Sequence, residues 1–321
     1  MNKNFALIGS AGYIAPRHLD AIKKTNNNLI ASLDKSDSVG IIDSYFPNSS
    51  FFTEFERFDR HLNKLKYDKG IKLDYTTICS PNYLHDSHIR TALRWHSNAI
   101  CEKPLVLNPW NIDALKKIES ETGKQVFTIL QLRLHDSVIK LKDKINKQKD
   151  KVFDVDLTYI TSRGMWYYAS WKGNEDKSGG IATNIGIHFF DMLGYVFGKL
   201  KSNIVHLNKH DRASGFLEFE NARVRWFLSI NENLLPKSAI KNNLKTYRSI
   251  SIEGEEFEFS KGFTDLHKLS YEMILKNEGF KLDENYQAIE IAYKIRGSKS
   301  ENLTSDCHPF ALIKTDKHPF N

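Results

Sequence analysis

Through the first 130 or so residues, short apolar runs of strand length alternate with amphipathic stretches of helix length. Phe5–Ile8, Leu29–Leu33, Asp74–Cys79, Asn98–Cys101 and Val126–Leu130 have the texture of buried strands. Arg17–Lys24, Leu84–Arg94 and Trp110–Thr122 place apolar residues at helical spacing. Strands alternating with helices predict an α/β fold, a doubly wound parallel sheet with helices on both faces.

The pattern changes near Phe153. Val155–Thr161 is a longer β-rich run, Ser162–Gly180 is an aromatic and glycine-rich loop, and Ile185–Phe197 reads as a helix. Ile204–Leu207, Gly215–Phe219, Arg223–Ile230, Arg248–Ile252 and Glu256–Phe259 then follow as strands. Two helices, Thr264–Lys276 and Asn285–Arg296, close the pattern. Strands in succession predict a C-terminal α+β domain built on a mostly antiparallel open sheet. The expected division is a first domain at 1–130, a second at 131–296 and a polar C-terminal extension at 297–321.

Composition narrows the function classes. The 321 residues suit two domains, and 40% hydrophobic with 26% charged residues suits packed cores rather than disorder. No apolar run approaches the roughly 18–20 residues of a membrane span, and Phe5–Ile8 is too short for a signal peptide. Cys79, Cys101 and Cys307 lie far apart and form no CxxC pair, so a reducing cytoplasm is the expected compartment and no structural metal is expected. The net charge of +7 favours anionic small ligands. Its cations are scattered and no nucleic-acid motif is present, so neither nucleic acid nor membrane is an expected partner.

Candidate chemistry clusters at predicted strand ends. Gly9-Ser-Ala-Gly12-Tyr-Ile-Ala15 joins the first strand to the first helix, where glycines let a pyrophosphate approach backbone amides. Gly9, Ala11, Gly12, Tyr13 and Ile14 are the candidate cradle. Asp34 ends the second strand, 25 residues after Gly9, where a carboxylate accepts from ribose hydroxyls and repels a 2′-phosphate. The cofactor expected is NAD. Two further turns, Ser80-Pro-Asn82-Tyr-Leu-His85 and Cys101-Glu102-Lys103-Pro104-Leu105, also follow strands, where doubly wound sheets bind ligands. Ser80, Asn82, His85, Glu102 and Lys103 are therefore cofactor-site candidates, with Asn82 and His85 near ribose or nicotinamide. The Glu102 carboxylate is expected to face away from the reacting centre. Arg17 and His18, at the start of the first helix, are candidates to touch cofactor or sugar. A metal reading through His85, His88 and His188 is weak, because hydride transfer needs none.

These turns, with Gly179-Gly180-Ile-Ala-Thr-Asn184-Ile-Gly186-Ile-His188-Phe-Phe-Asp191, resemble the glucose–fructose oxidoreductase/inositol dehydrogenase family. GSAGYIAPRH, ICSPNYLH, ICEKPL, SWKG, ATNIGIHF and ARVRWFLS are similar to the bacterial UDP-N-acetylglucosaminuronate 3-dehydrogenases in particular, from about Phe5 to Arg296. That resemblance implies a Rossmann first domain and a UDP-sugar substrate oxidised at its 3″-hydroxyl. It also implies a role in surface-polysaccharide synthesis, a homotetramer, NAD regenerated by 2-oxoglutarate and a downstream aminotransferase.

Oxidising a secondary alcohol needs a base at its oxygen. Lys103 is the preferred base and His188 the alternative. A positive nicotinamide ~4 Å away, at an effective dielectric near 20, repels an ammonium by roughly 4 kcal/mol, which pulls a lysine down toward neutrality. If 184–191 is helical, Asn184, His188 and Asp191 share one face, within about 60°. Gly179, Gly180 and Gly186 would let backbone approach a bulky sugar. Arg163, Trp171 and Lys172, with Trp166 and Tyr167, form a cationic and aromatic loop suited to a diphosphate and pyranose or uracil rings, and Tyr247 and Arg248 are further substrate candidates. A sugar or polyol dehydrogenase of other specificity, a glycosidase with a transient 3-keto step, and a non-catalytic NAD sensor all stay open here.

Overall fold

The computed structural model describes residues 2–148, 150–257, 262–303 and 305–315. The chain forms two compact units, Met1–Leu134 with Phe263–Tyr286, and His135–Gly262 with Gln287–Asn321.

The first unit opens with β1 (Asn4–Ile8), α1 (Ala15–Lys24), β2 (Asn28–Leu33), β3 (Ser50–Phe52) and α2 (Phe55–Lys69). β4 (Tyr75–Ile78), α3 (His85–Arg94), β5 (Asn98–Cys101), α4 (Pro109–Thr122) and β6 (Val126–Thr128) complete it. Its sheet is parallel throughout, in the order β3-β2-β1-β4-β5-β6. This is the doubly wound Rossmann order, with its switch point where β1 lies between β2 and β4. The two-residue period of β1 splits its side chains between two cores. Phe5 and Leu7 join Leu19 and Ile22 of α1, whereas Ala6 and Ile8 join Phe58, Leu62 and Leu65 of α2.

The second unit begins with α5 (Asp136–Asn146) and β7 (Phe153–Thr161). The aromatic loop holds two short helices, α6 (Met165–Ala169) and α7 (Glu175–Ser178), and a π-helical turn at Ala182–Gly186 leads into α8 (Ile187–Phe197). β8 (Leu200–Lys209), β9 (Arg212–Phe219), β10 (Ala222–Ser229), α9 (Lys237–Lys241), β11 (Thr246–Ile252) and β12 (Glu255–Glu256) follow. The sheet order is β12-β11-β7-β10-β9-β8, antiparallel except for the β7·β10 pair. β12 covers the start of the expected strand at Glu256–Phe259, and Phe259 lies outside the described residues. α8 packs on one sheet face, with Phe190 edge-on to the fully buried Trp226 at 5.5 Å.

The chain then returns to the first unit as α10 (Leu266–Leu275) and enters the second again along α11 (Tyr286–Gly297). Tyr271 and Ile274 of α10 complete the core that Phe5 and Leu7 begin. The sequence pattern places this segment in the second domain, because a helix pattern does not show which sheet its apolar stripe covers.

The expected polar extension is also corrected. Cys307 and His308 are buried, and His308 Nε2 lies 3.0 Å from Thr158 Oγ1. Phe310 packs with Ile160, Phe227 and Tyr247 on the sheet face opposite α8. Phe310→Ala is expected to destabilise the protein by about 1–2 kcal/mol, read as a lower denaturant midpoint. No helix among the described residues is long and apolar enough to cross a membrane.

Candidate active site

The turns after β1, β4 and β5 stand side by side, because those strands are neighbours in the sheet. Gly9 has φ +91°, and a Cβ there would lie 2.6 Å from Cys79 C and Ser80 N. Only glycine fits such a conformation this close to another strand end. Ala11 N–H donates to Asp34 Oδ2 at 2.9 Å, and Ser36 N–H donates to Oδ1 at 2.9 Å. Each oxygen keeps a further lone pair with which to accept a ribose hydroxyl. Tyr13 is exposed, Gly12 and Ile14 are half-buried, and no side chain caps the N-terminus of α1. A glycine turn at the start of a helix and a carboxylate at the second strand end fit the pyrophosphate and ribose of a dinucleotide.

Below this surface lies a network that no local sequence pattern announces. Glu102 Oε1 accepts from His18 Nε2 at 2.9 Å and His267 Nε2 at 3.1 Å. Tyr271 O–H donates to His18 Nδ1 at 2.8 Å and accepts from Thr77 Oγ1 at 2.8 Å. With His18 neutral, the donors run in one direction, Thr77 to Tyr271 to His18 to Glu102. Burial keeps His18 below the usual imidazole range. Burial would raise Glu102, but the bonds from His18 and His267 outweigh it and hold the carboxyl well below its usual range. Tyr271→Phe is expected to cost about 1–3 kcal/mol in chemical denaturation, because it strands two buried polar atoms.

Buried polar contacts change three assignments. The Glu102 carboxylate is buried and bonded to His18 and His267, so its side chain is not a cofactor contact. His18 is fully buried and cannot touch a sugar, whereas the neighbouring Arg17 is exposed and lines a cavity of about 420 Å³ with Pro16, Tyr45 and His267. His85 is buried with both ring nitrogens against carbonyls, Pro104 O and Ser80 O, each at 2.7 Å. It braces the two turns and has no ring nitrogen left for ribose or nicotinamide. Ser80 is buried, with its hydroxyl 2.8 Å from His88 Nδ1, and burial lowers His88 to about 4. Asn82 is buried at the head of its turn. Lys103 is half-buried at the carboxyl end of β5, followed by a cis bond to Pro104.

In the second unit, Arg163, Trp166, Trp171 and Lys172 form one cluster. The Arg163 guanidinium and Lys172 Nζ each lie 5.8 Å from the Trp166 ring centroid, and Lys172 Nζ lies 4.3 Å from that of Trp171. Burial, and then Arg163, lowers the Lys172 pKa. Tyr167 O–H accepts from Asn184 Nδ2 at 2.9 Å and ties this loop to the π-helical turn. Asn184 and His188 are partly exposed, whereas Asp191 is buried, so the expected shared face holds only for the first two.

Gly179 and Gly186 do not make room for a sugar. A Cβ at Gly179 would meet the Thr183 side chain at 2.7 Å, and one at Gly186 would meet Leu228 Cδ1 at 2.6 Å. At Gly180 the nearest atom is Glu175 Oε1, at 3.3 Å. Tyr247 is half-buried and packs beside Phe310. Arg248 points to the opposite sheet face, 5.6 Å from the Tyr159 ring centroid, and Tyr159 packs on Phe189 beside His188.

Two family profiles match the chain: "Oxidoreductase family, NAD-binding Rossmann fold" at residues 3–130, and "Oxidoreductase family, C-terminal alpha/beta domain" at residues 149–299. The chain belongs to this oxidoreductase family. Among curated members, glucose-6-phosphate 3-dehydrogenase of Bacillus subtilis is 23% identical over 61% of the chain and 54% of its own length. The putative oxidoreductase YteT of the same organism is 25% identical over 40% of the chain and 31% of its own length. The chain thus spans between a third and about half of the lengths of these curated relatives. Among solved members, the WlbA (WbpB) dehydrogenase of Thermus thermophilus is 50% identical with a TM-score of 0.92, covering 96% of this chain and 99% of that one. That enzyme was crystallised with NAD and alpha-ketoglutarate, and with NAD and UDP-GlcNAcA.

Proposed function

We propose that this oxidoreductase oxidises the 3″-hydroxyl of UDP-N-acetylglucosaminuronate to a ketone, with NAD as hydride acceptor. The observation that carries this reading is 50% identity, over 96% of the chain, to a dehydrogenase crystallised with NAD and that nucleotide sugar. Bound NAD supplies the two-electron acceptor. The turn from Gly9 through Ala11 and Gly12 to Tyr13 and Ile14 lets its pyrophosphate come close to backbone, Asp34 orients its adenosine ribose, and Asn82 lies along the same strand ends. Lys103, as the neutral amine, takes the hydroxyl proton while the carbon gives up its hydrogen as hydride. His188, with Asn184, positions the reacting sugar, and Arg163 and Lys172 bind the charged groups of the substrate. Trp171 offers a ring face, and Arg248 adds a cation over Tyr159.

The finer reading follows the resemblance of the sequence to the UDP-N-acetylglucosaminuronate 3-dehydrogenases. The enzyme works in the cytoplasm as a homotetramer. Its 3-keto product passes to an aminotransferase in surface-polysaccharide (lipopolysaccharide O-antigen) synthesis. Its NADH is reoxidised by 2-oxoglutarate, which takes the hydride and a proton to become 2-hydroxyglutarate. Purified protein incubated with UDP-N-acetylglucosaminuronate and 2-oxoglutarate should yield a nucleotide sugar lighter by two hydrogens and an equal amount of 2-hydroxyglutarate. Oxidation of free sugars but not of the UDP-sugar would overturn the substrate assignment.

A further inference from the structure

We propose that Glu102 is a positioning residue: its inward carboxylate, clamped by His18 and His267, holds the Lys103 backbone amide and so fixes the turn that carries the base. This inference rests on the assignment of Lys103 above. The clamp draws on three separate parts of the first unit. His18 lies in α1, the helix that starts at the glycine turn, His267 lies in α10, and Glu102 ends β5. The two histidines both use Oε1, which leaves Oε2 for Lys103 N–H at 3.3 Å. His85 lies against the other side of the same turn, its Nδ1 2.7 Å from Pro104 O.

A buried carboxylate is expensive, and an apolar residue would pack this position at lower cost. The bonding pattern gives the carboxylate a task that an apolar residue cannot perform. One oxygen is anchored to two helices and the other holds the amide next to the reacting side chain. The cofactor turn and the lysine turn are thereby linked through a single carboxylate. A displacement of about 1 Å at a reacting group can cost as much as 100-fold in rate, which sets the scale of the effect.

The test compares His267→Leu with His267→Gln, whose amide nitrogen reaches about where imidazole Nε2 does. His267→Leu should lower kcat about 10-fold, with KM for the nucleotide sugar and the amount of retained NAD unchanged, and His267→Gln should recover most of that rate. Full kcat in His267→Leu, equal losses in the two variants, or a loss confined to KM would overturn the inference. If His267→Leu does not fold, Glu102→Gln replaces it. Glutamine keeps an acceptor for both histidines but sets an NH₂ group against Lys103 N–H, so the same fall in kcat is expected and wild-type kcat overturns the idea. Lys103→Met, run alongside, separates the two readings. An active Lys103→Met defeats the base assignment itself, whereas an inactive one beside a full-rate His267→Leu defeats only the clamp.

Discussion

Lys103→Met is expected to lower kcat by about 10²–10⁴-fold while the protein still carries NAD. Methionine matches the length and much of the volume of the lysine stem, so the half-buried position after β5 stays filled. The variant loses only the amine. Glu102 should keep its bonds to His18 and His267, because it meets Lys103 through backbone rather than side chain. Stability and nucleotide content should therefore match the parent, and the loss should appear in single-turnover formation of NADH. Turnover near the parent rate would transfer the role of base to His188, and His188→Asn would then be the variant that stops the reaction.

Gly9→Ala should act earlier, on the cradle itself. Alanine at φ +91° is strained, and its Cβ would stand 2.6–2.7 Å from Cys79 C, Cys79 O and Ser80 N. Those are backbone atoms at the end of a central strand, and they cannot swing aside as a side chain would. Strain and overpacking together should cost on the order of 3 kcal/mol, and the turn must move to relieve them. A lower thermal midpoint is expected, with little nucleotide released when the purified variant is denatured. A variant that releases a full equivalent of NAD would show that the turn does not cradle the cofactor.

The contrast between these positions and others shows what a sequence can disclose. Gly9, Asp34 and Lys103 each lie within a few residues of a strand end, and strand ends are marked by apolar periodicity and turn residues. α2 escaped notice because only Phe58, Leu62 and Leu65 of its fifteen residues are buried, a stripe too thin to stand out among charges. β3, three half-buried residues long, carried too little pattern to register. The His267–Glu102–His18 clamp joins residues 165 and 84 positions apart, so nothing local signals it. Gly186 illustrates the reverse error: a glycine beside candidate site residues suggested access for a ligand, but Leu228 and Phe190 occupy that space. In the tail, Cys307, His308 and Phe310 follow no helix or strand period, yet they seal part of the second sheet.

The return of Phe263–Tyr286 to the first unit has a consequence for how the molecule is made. Tyr271 and Ile274 close a core begun by Phe5 and Leu7, so the nucleotide-binding half stays unfinished until most of the polypeptide has left the ribosome. A nascent or proteolysed fragment ending near residue 134 would expose that apolar surface to chaperones.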